Sequence, residues 1–417
     1  MLNRKLSFCL VILLILLLAA CSNNGPSEEA SSPQTPSQKE TNGGENQGEE
    51  AASGEPIKIG LLVPYTGVYA SLGEHLTKGM ELYFDEVDWK IEGRPIELIA
   101  EDTEADPQVA LRLFRKLVDQ DKIHILSGPI STAVAYALRD EVDSRGIPFL
   151  VSHAGGNDLT RSQRSDYIWR SSFSSWQIGY SLGEWAYHNV ADEVMVVSAD
   201  YAFGHEVSSA FMEAFKKAGG KIVAEVYPPL GNNDYAPYLT EINNVKPKAV
   251  YSFFAGSDAV RYVQQYEQYG LKGKIPLIGA GWLTAEDVRP SQGLAAEGII
   301  TSIFWDYSLD TPENKDFVQK YEQKYNERPS IESLEGYDAA RVIVEALKAI
   351  GGDTSDSKKI VEAISKVEFN SPRGPFRFDP ETHHVIQNMY IVETYADGDK
   401  TENRVIDTVP EVIDPGQ

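Results

Sequence analysis

Cysteine is almost absent: the 417 residues contain only Cys9 and Cys21, both within the first 21 positions. The rest of the chain therefore has no thiol for a disulfide, a zinc site or a cysteine nucleophile, and its core must hold by burial alone. Positive charge is also scarce. Lys and Arg total 38 against 62 Asp and Glu, a formal charge of −24, with no basic cluster to meet phosphates. A nucleic-acid partner is excluded on that ground. Missing too are a Gly-x-Ser-x-Gly elbow, a Walker-type phosphate loop and a His-Glu-x-x-His pair; Gly279-Ala280-Gly281 is only a fragment of a dinucleotide fingerprint. No cofactor and no metal is expected, although Asp102, Glu104 and Asp106 form an acidic cluster that leaves calcium as a minor alternative. Finally, Ser22 to Glu55 contains no Val, Ile, Leu, Met, Phe, Tyr or Trp. Such a segment cannot bury enough surface to offset its chain entropy, and it reads as a disordered tether spanning about 30–35 Å.

What precedes the tether is an address. Arg4 and Lys5 lead into the apolar stretch Leu6 to Ala20, which is shorter than a membrane-spanning helix needs and has the charged start and small-residue end of a secretion signal. It ends in Leu18-Ala19-Ala20-Cys21, which resembles the bacterial lipobox. That resemblance implies cleavage before Cys21, acylation of Cys21, and lipid anchorage on the outer face of the cytoplasmic membrane in a bacterial cell envelope.

The folded part opens with the buried-strand run Ile57 to Val63, a loop from Pro64 to Ala70, and a helix with capping-box spacing at Ser71 and Glu74 whose apolar face is Leu72, Leu76, Met80, Phe84 and Val87. The unit repeats, with a strand at 96–100, a helix capped by Asp106-Pro107, and a third unit from Ile123. A second series follows the polar Ser171–Ser175. It has strands at 193–198, 221–227, 249–254, 275–279 and 298–303, and helical runs near 203–218, 234–244, 257–269 and 283–289. Two further helices, 312–325 and 331–350, lack strands of their own and are expected to fold back on the first lobe. Strand pattern returns at 376–378 and 389–394. Alternation of this kind predicts α/β lobes built on parallel sheets.

The densest signal is the β-α-β unit from Ile123 to Leu159. Its loops Gly128-Pro-Ile-Ser-Thr132 and Ser152-His-Ala-Gly-Gly156 fall at the carboxyl ends of parallel strands, where open sheets leave a crevice for ligands. Ser131, Thr132 and the Ala154-Gly155-Gly156 backbone at a helix start suit a carboxylate. Tyr65, Tyr69, Tyr201, Phe203 and Trp282 lie in loops at strand ends, where aromatics line small-molecule pockets. Ser131, His153 and Asp102 could also compose a hydrolytic triad, but no strained elbow exposes the serine.

From Ile57 to Thr394 the chain resembles the type I periplasmic-binding-protein family, in the branch with the leucine/isoleucine/valine-binding proteins of ABC importers. The carrying motifs are Pro64–Gly73, Gly128–Thr132, Ser152–Gly156, Asp200-Tyr-Ala-Phe-Gly204, Gly336-Tyr-Asp-Ala339 and Ser371–Pro380. The resemblance implies two Rossmann-like lobes joined by three crossovers near 171–175, 306–309 and 379–384. After a signal peptide at 1–20 and the lipidated cysteine and tether at 21–55, lobe 1 takes 56–172 plus 308–381 and lobe 2 takes 173–307 plus 382–417. It further implies a non-enzymatic, monomeric solute receptor that works with ABC permease subunits. The expected solute is a small carboxylate, whether a branched-chain or other amino acid or an aromatic acid. By the same resemblance Ser131 and Thr132 donate hydroxyls to the ligand, Ala154, Gly155 and Gly156 offer backbone groups, and Phe203 stands where a stacking tyrosine often sits. Where amino-acid binders place an acid for the ammonium group, this chain reads Ala280-Gly281-Trp282, which puts an amino acid in doubt and leaves room for a flatter acid, aromatic among others, against Gly281 and Trp282. A ligand sensor that signals without transport is the alternative from another class.

Overall fold

The computed structural model describes residues 54–416. The expected signal peptide, the expected acylation at Cys21 and nearly all of the expected tether lie outside the described residues. Among those described, no helix is long and apolar enough to cross a membrane.

The first run comprises β1 (Ile57–Val63), α1 (Ala70–Glu86), β2 (Lys90–Ile91), β3 (Arg94–Asp102), α2 (Pro107–Lys116), β4 (Ile125–Gly128), α3 (Thr132–Arg145), β5 (Phe149–Val151) and β6 (Ile168–Arg170). The second comprises α4 (Ser175–Asn189), β7 (Glu193–Ser198), α5 (Ala202–Ala218), β8 (Lys221–Val226), α6 (Ala236–Val245), β9 (Ala249–Phe253), α7 (Gly256–Gln268), β10 (Leu277–Ala280), α8 (Arg289–Gln292) and β11 (Ile300–Ile303). The third comprises α9 (Pro312–Tyr325), α10 (Ile331–Ala349), α11 (Ser357–Ile364), β12 (Glu368–Ser371), β13 (Gly374–Asp379), β14 (His384–Asp397) and β15 (Lys400–Val412).

Each of the first two runs makes its own sheet, in the orders β2-β3-β1-β4-β5-β6 and β11-β10-β9-β7-β8. Strands β3 to β6 pair in parallel, as do β11 to β8. This is the two-lobed α/β fold expected. Strand β1 sits between β3 and β4, and its two faces are buried in different core clusters, Ile59, Leu61 and Val63 in one and Leu62 in the other, so its sequence is a nearly unbroken apolar run. The chain passes between lobes after β6, after β11, and through β14. The last of these belongs to both sheets: His384 pairs with Arg170 of β6, while Tyr390 to Glu393 run antiparallel to β11.

Of the third run, helix α10 packs on α1 of the first run, while β14 and β15 lie along the second sheet. The predicted stripe of α1 is buried at Leu72, Leu76, Met80 and Phe84. The capping box at its start does not form: the helix begins at Ala70 without a side-chain cap, Ser71 Oγ donates to Asp287 at 3.2 Å, and Glu74 pairs with Lys78. The cap on α2 does form, with Asp106 Oδ1 accepting from the backbone N–H of Gln108 at 2.6 Å and of Val109 at 3.1 Å. Asp106→Ala should therefore cost about 1 kcal/mol, read as a lowered thermal midpoint with solute binding unchanged.

Two expectations are corrected. The stretch expected to be one helix at 283–289 is a 3₁₀ turn at Gly281–Thr284 followed by α8, because Trp282 and Leu283 are both buried and Pro290 resets the start of a new turn. Helix α4 is additional, as are α11 and the strands β12 and β15.

Candidate ligand-binding cleft

The cradle begins with Gly128, which closes β4. Its φ is +97°, and a Cβ there would lie 2.3 Å from the Leu62 carbonyl oxygen, so only glycine lets β4 pass β1 this closely. Beyond Pro129 and Ile130, Ser131 occupies the N-cap of α3 without capping it through its side chain. The first-turn N–H groups stay uncapped by a side chain at the end that carries Thr132, a natural seat for an anion. The loop after β5 is pinned alongside. Ser152 Oγ accepts from Gly128 N at 3.0 Å, and Ala154 N donates to the Pro129 carbonyl at 2.9 Å. The two loops read as one cradle in the sequence are therefore adjacent in space.

The second lobe closes over them with aromatic residues. Tyr201 and Phe203 come from the start of α5, Phe253 and Ala255 from the end of β9, and Trp282 from the 3₁₀ turn after β10. Phe173, in the crossover from β6 to α4, stands in the middle. Its ring lies 4.7 Å from Trp282, 5.7 Å from Phe203 and 5.4 Å from His153, and it stacks on Phe304 at 5.3 Å. With Tyr69, Leu72, Ile130, Thr132, His153 and Gly155 these residues line one shared cavity. No Lys, Arg, Asp or Glu is among the described residues lining it.

Of the residues singled out in the sequence, Tyr69, Thr132, Gly155, Tyr201, Phe203 and Trp282 come together on this wall. The others stand behind or beside it. Ser131 is buried at the cap, and Ala154 packs into the core beneath α3. Gly156 lies against Tyr136 and Thr132, and its carbonyl is held by the buried Arg170 guanidinium. Tyr65 donates or accepts a 2.6 Å hydrogen bond with Thr77 and is not part of the wall, while Gly281 lines a separate small cavity with Ile303 and Trp305.

Sequence reasoning passed over Leu72, Ile130, Phe173, Phe253 and Ala255. The single aromatic inside Ser171-Ser-Phe-Ser-Ser175 was the one available signal for Phe173. In the sequence His153 reads only as a general base. The triad is not assembled: Asp102 accepts hydrogen bonds from Tyr65 N, Thr66 Oγ1 and Glu104 N, and His153 Nδ1 is paired with Glu335 Oε2 at 2.5 Å.

Around the wall lies a buried acidic layer. Glu332 Oε1 accepts from Trp282 Nε1 at 2.8 Å, and its Oε2 accepts from Ser330 Oγ at 2.7 Å. Burial and the nearby Asp287 push its carboxyl up to about 7. Burial lifts Glu335 well above the usual carboxylate range and lowers His153 to about 4. The lobes are latched shut by Trp282–Glu332, by Ser71–Asp287, and by Glu206, which accepts from the Tyr136 hydroxyl at 2.5 Å and from Asn157 N at 2.7 Å.

A two-lobed fold with its cleft at the carboxyl ends of both sheets agrees with the sequence comparison, in which the model of the periplasmic binding proteins matches residues 56–399. The chain belongs to the periplasmic binding protein family. A relative from Brucella melitensis, Leu/Ile/Val-binding protein homolog 6, is 31% identical over 372 residues, covering 88% of this chain and 95% of the relative. Two solved members of the family are similar in both sequence and shape. The solute-binding protein of an ABC transporter from R. palustris, in complex with benzoate, is 34% identical with a TM-score of 0.82, covering 86% of this chain and 98% of its own. That from Rhodopseudomonas palustris BisB5, in complex with 3,4-dihydroxybenzoic acid, is 33% identical with a TM-score of 0.83, covering 87% and 99%.

Proposed function

We propose that this periplasmic binding protein is the solute receptor of an ABC importer, held to the outer face of the cytoplasmic membrane by a lipid on Cys21, and that its solute is a small aromatic carboxylate of the benzoate class. Its lobes, 56–172 with 308–381 and 173–307 with 382–417, close on the solute because only the shut form brings both walls into contact with it. The observation that carries the ligand class is the composition of the wall. Aromatic rings supply flat apolar faces, Thr132 and the start of α3 supply donors for one carboxylate, and no acid on the wall pairs with an α-ammonium group. Relatives that bind benzoate and 3,4-dihydroxybenzoic acid support the same class.

Calorimetry with benzoate, 4-hydroxybenzoate and leucine tests this directly. Benzoate or its hydroxylated form should bind and leucine should not; leucine binding alone would overturn the proposal. Thr132→Val keeps the side-chain shape and removes the hydroxyl. A hydrogen bond to a charged group contributes about 1.5–3 kcal/mol, so the dissociation constant for benzoate should rise roughly 10- to 100-fold at an unchanged thermal midpoint of the free protein.

A further inference from the structure

We propose that Glu335 is a positioning residue for the ligand: its carboxyl donates a hydrogen bond to His153 Nδ1 and so fixes the imidazole as an Nε2–H donor presented to the carboxylate of the bound solute. This rests on the reading of the solute as a small carboxylate and adds a second, side-chain donor to the one supplied by Thr132.

Three observations carry it. First, His153 lines the cavity, held edge-on between Phe173 at 5.4 Å and Trp282 at 5.5 Å, so its ring cannot turn freely. Second, Nδ1 is taken by Glu335 at 2.5 Å, and among the described residues no group of the chain pairs with Nε2. Third, the pair is built from opposite lobe-1 elements 182 positions apart, with His153 on the loop after β5 and Glu335 in the second turn of α10, and the Glu335 side chain is wholly buried.

A contact this short between Oε2 and Nδ1 holds one proton. Placing it on Nδ1 of an imidazole already protonated at Nε2 would create two full charges in a site away from water, which burial disfavours at both partners. The charged neighbours do not reverse this. Asp338, one turn along α10, holds Arg373 Nε at 2.9 Å, and that guanidinium also donates to the carbonyls of Ser171 and Ser172. Glu332 is engaged by Trp282 and Ser330, and Asp287 by Ser71. Burial raising Glu335 and lowering His153 acts in the same direction. The acid therefore keeps the proton, Nδ1 accepts it as a hydrogen bond, and Nε2 carries the only N–H of the ring. A neutral donor of this kind can hold an anion without a cation to desolvate when the lobes close.

Nitrogen NMR of the ¹⁵N-histidine-labelled protein, with and without benzoate, gives the test that needs no substitution. His153 should show an unprotonated Nδ1 and a protonated Nε2 in the free protein, and the Nε2–H proton should move downfield on addition of benzoate. A protonated Nδ1 in either state would overturn the assignment. Two variants then separate positioning from packing. Glu335→Gln keeps an N–H to offer Nδ1 and should retain benzoate affinity within about threefold and the same tautomer. Glu335→Leu removes the donor at similar volume; it should mix the tautomers and weaken benzoate roughly tenfold, the worth of one hydrogen bond to an anion. Equal affinity for the native and leucine forms, with both folded, would remove Glu335 from ligand recognition. If benzoate fails to bind the native protein while the free-protein tautomer is as assigned, the ligand class has failed and the relay has not.

Discussion

Gly155→Val should abolish benzoate binding, with a loss of affinity of at least about 100-fold, while the protein stays folded. A Cβ at position 155 would lie 2.4 Å from Cε2 of Phe173 and 2.9 Å from Cε2 of Phe203. Neither ring can retreat outward. Phe173 is backed by Phe304 at 5.3 Å, and Phe203 by Phe253 at 4.6 Å. The free space beside them is the cavity these rings line, so the displaced rings and the new methyl groups enter the volume that a solute needs. One methylene more or less in a fitted pocket changes binding by about 10- to 200-fold, and valine adds three carbons. Calorimetry measures the effect, and circular dichroism confirms the fold. Retained affinity would show that Gly155 is not part of the wall.

The second large effect concerns stability and has a sign that propensity alone gets wrong. Helices α1 and α10 approach through a pair of glycines: a Cβ on Gly336 would sit 2.0 Å from the Leu76 carbonyl oxygen, and one on Gly79 would sit 1.9 Å from that of Ser333. Each clash is with backbone, which cannot swing aside. In an exposed helix, Gly→Ala would stabilise by about 1 kcal/mol. Here the helices must separate, and overpacking of a tight core costs about 1–3 kcal/mol. Gly336→Ala should therefore destabilise by about 2 kcal/mol and lower the thermal midpoint by several degrees. A raised midpoint would mean that the helices can part at no cost. Because α10 also carries Glu332 and Glu335, solute affinity should fall together with stability.

The β-α units were legible because strands covered on both faces read as apolar runs and their helices as stripes; β1, α1 and α10 are instances. Helix α4 was not, for a physical reason. It meets α5 through small residues, with Gly179 facing the Val207 carbonyl and Gly183 facing Ala214, so its inner face carries no run of large apolar side chains. Its capping box, Ser174 with Gln177, was the signal available. Strand β15 escaped notice because it lies along β14 with many exposed polar side chains, and little of its sequence alternates. At the cleft, loops of glycine and hydroxyl residues announced themselves by composition, as did aromatics placed in loops. Glu335 announced nothing, since an acid on the buried face of α10 breaks a stripe and names no partner.

From its residues alone this chain determined the alternation that makes parallel sheets and the two small-residue loops of the cradle, and it raised the expectation of a secretion address and a tether. All of these are local, set by periodicity and by what a short segment can bury. Folding alone decided which rings share a wall, that Tyr65 and Gly281 stay off it, and that His153 answers to Glu335 rather than to Asp102. Those are matters of packing between segments far apart in the sequence, 182 positions in the case of His153 and Glu335, where shape and the burial of charge choose the partner and no local pattern records the choice.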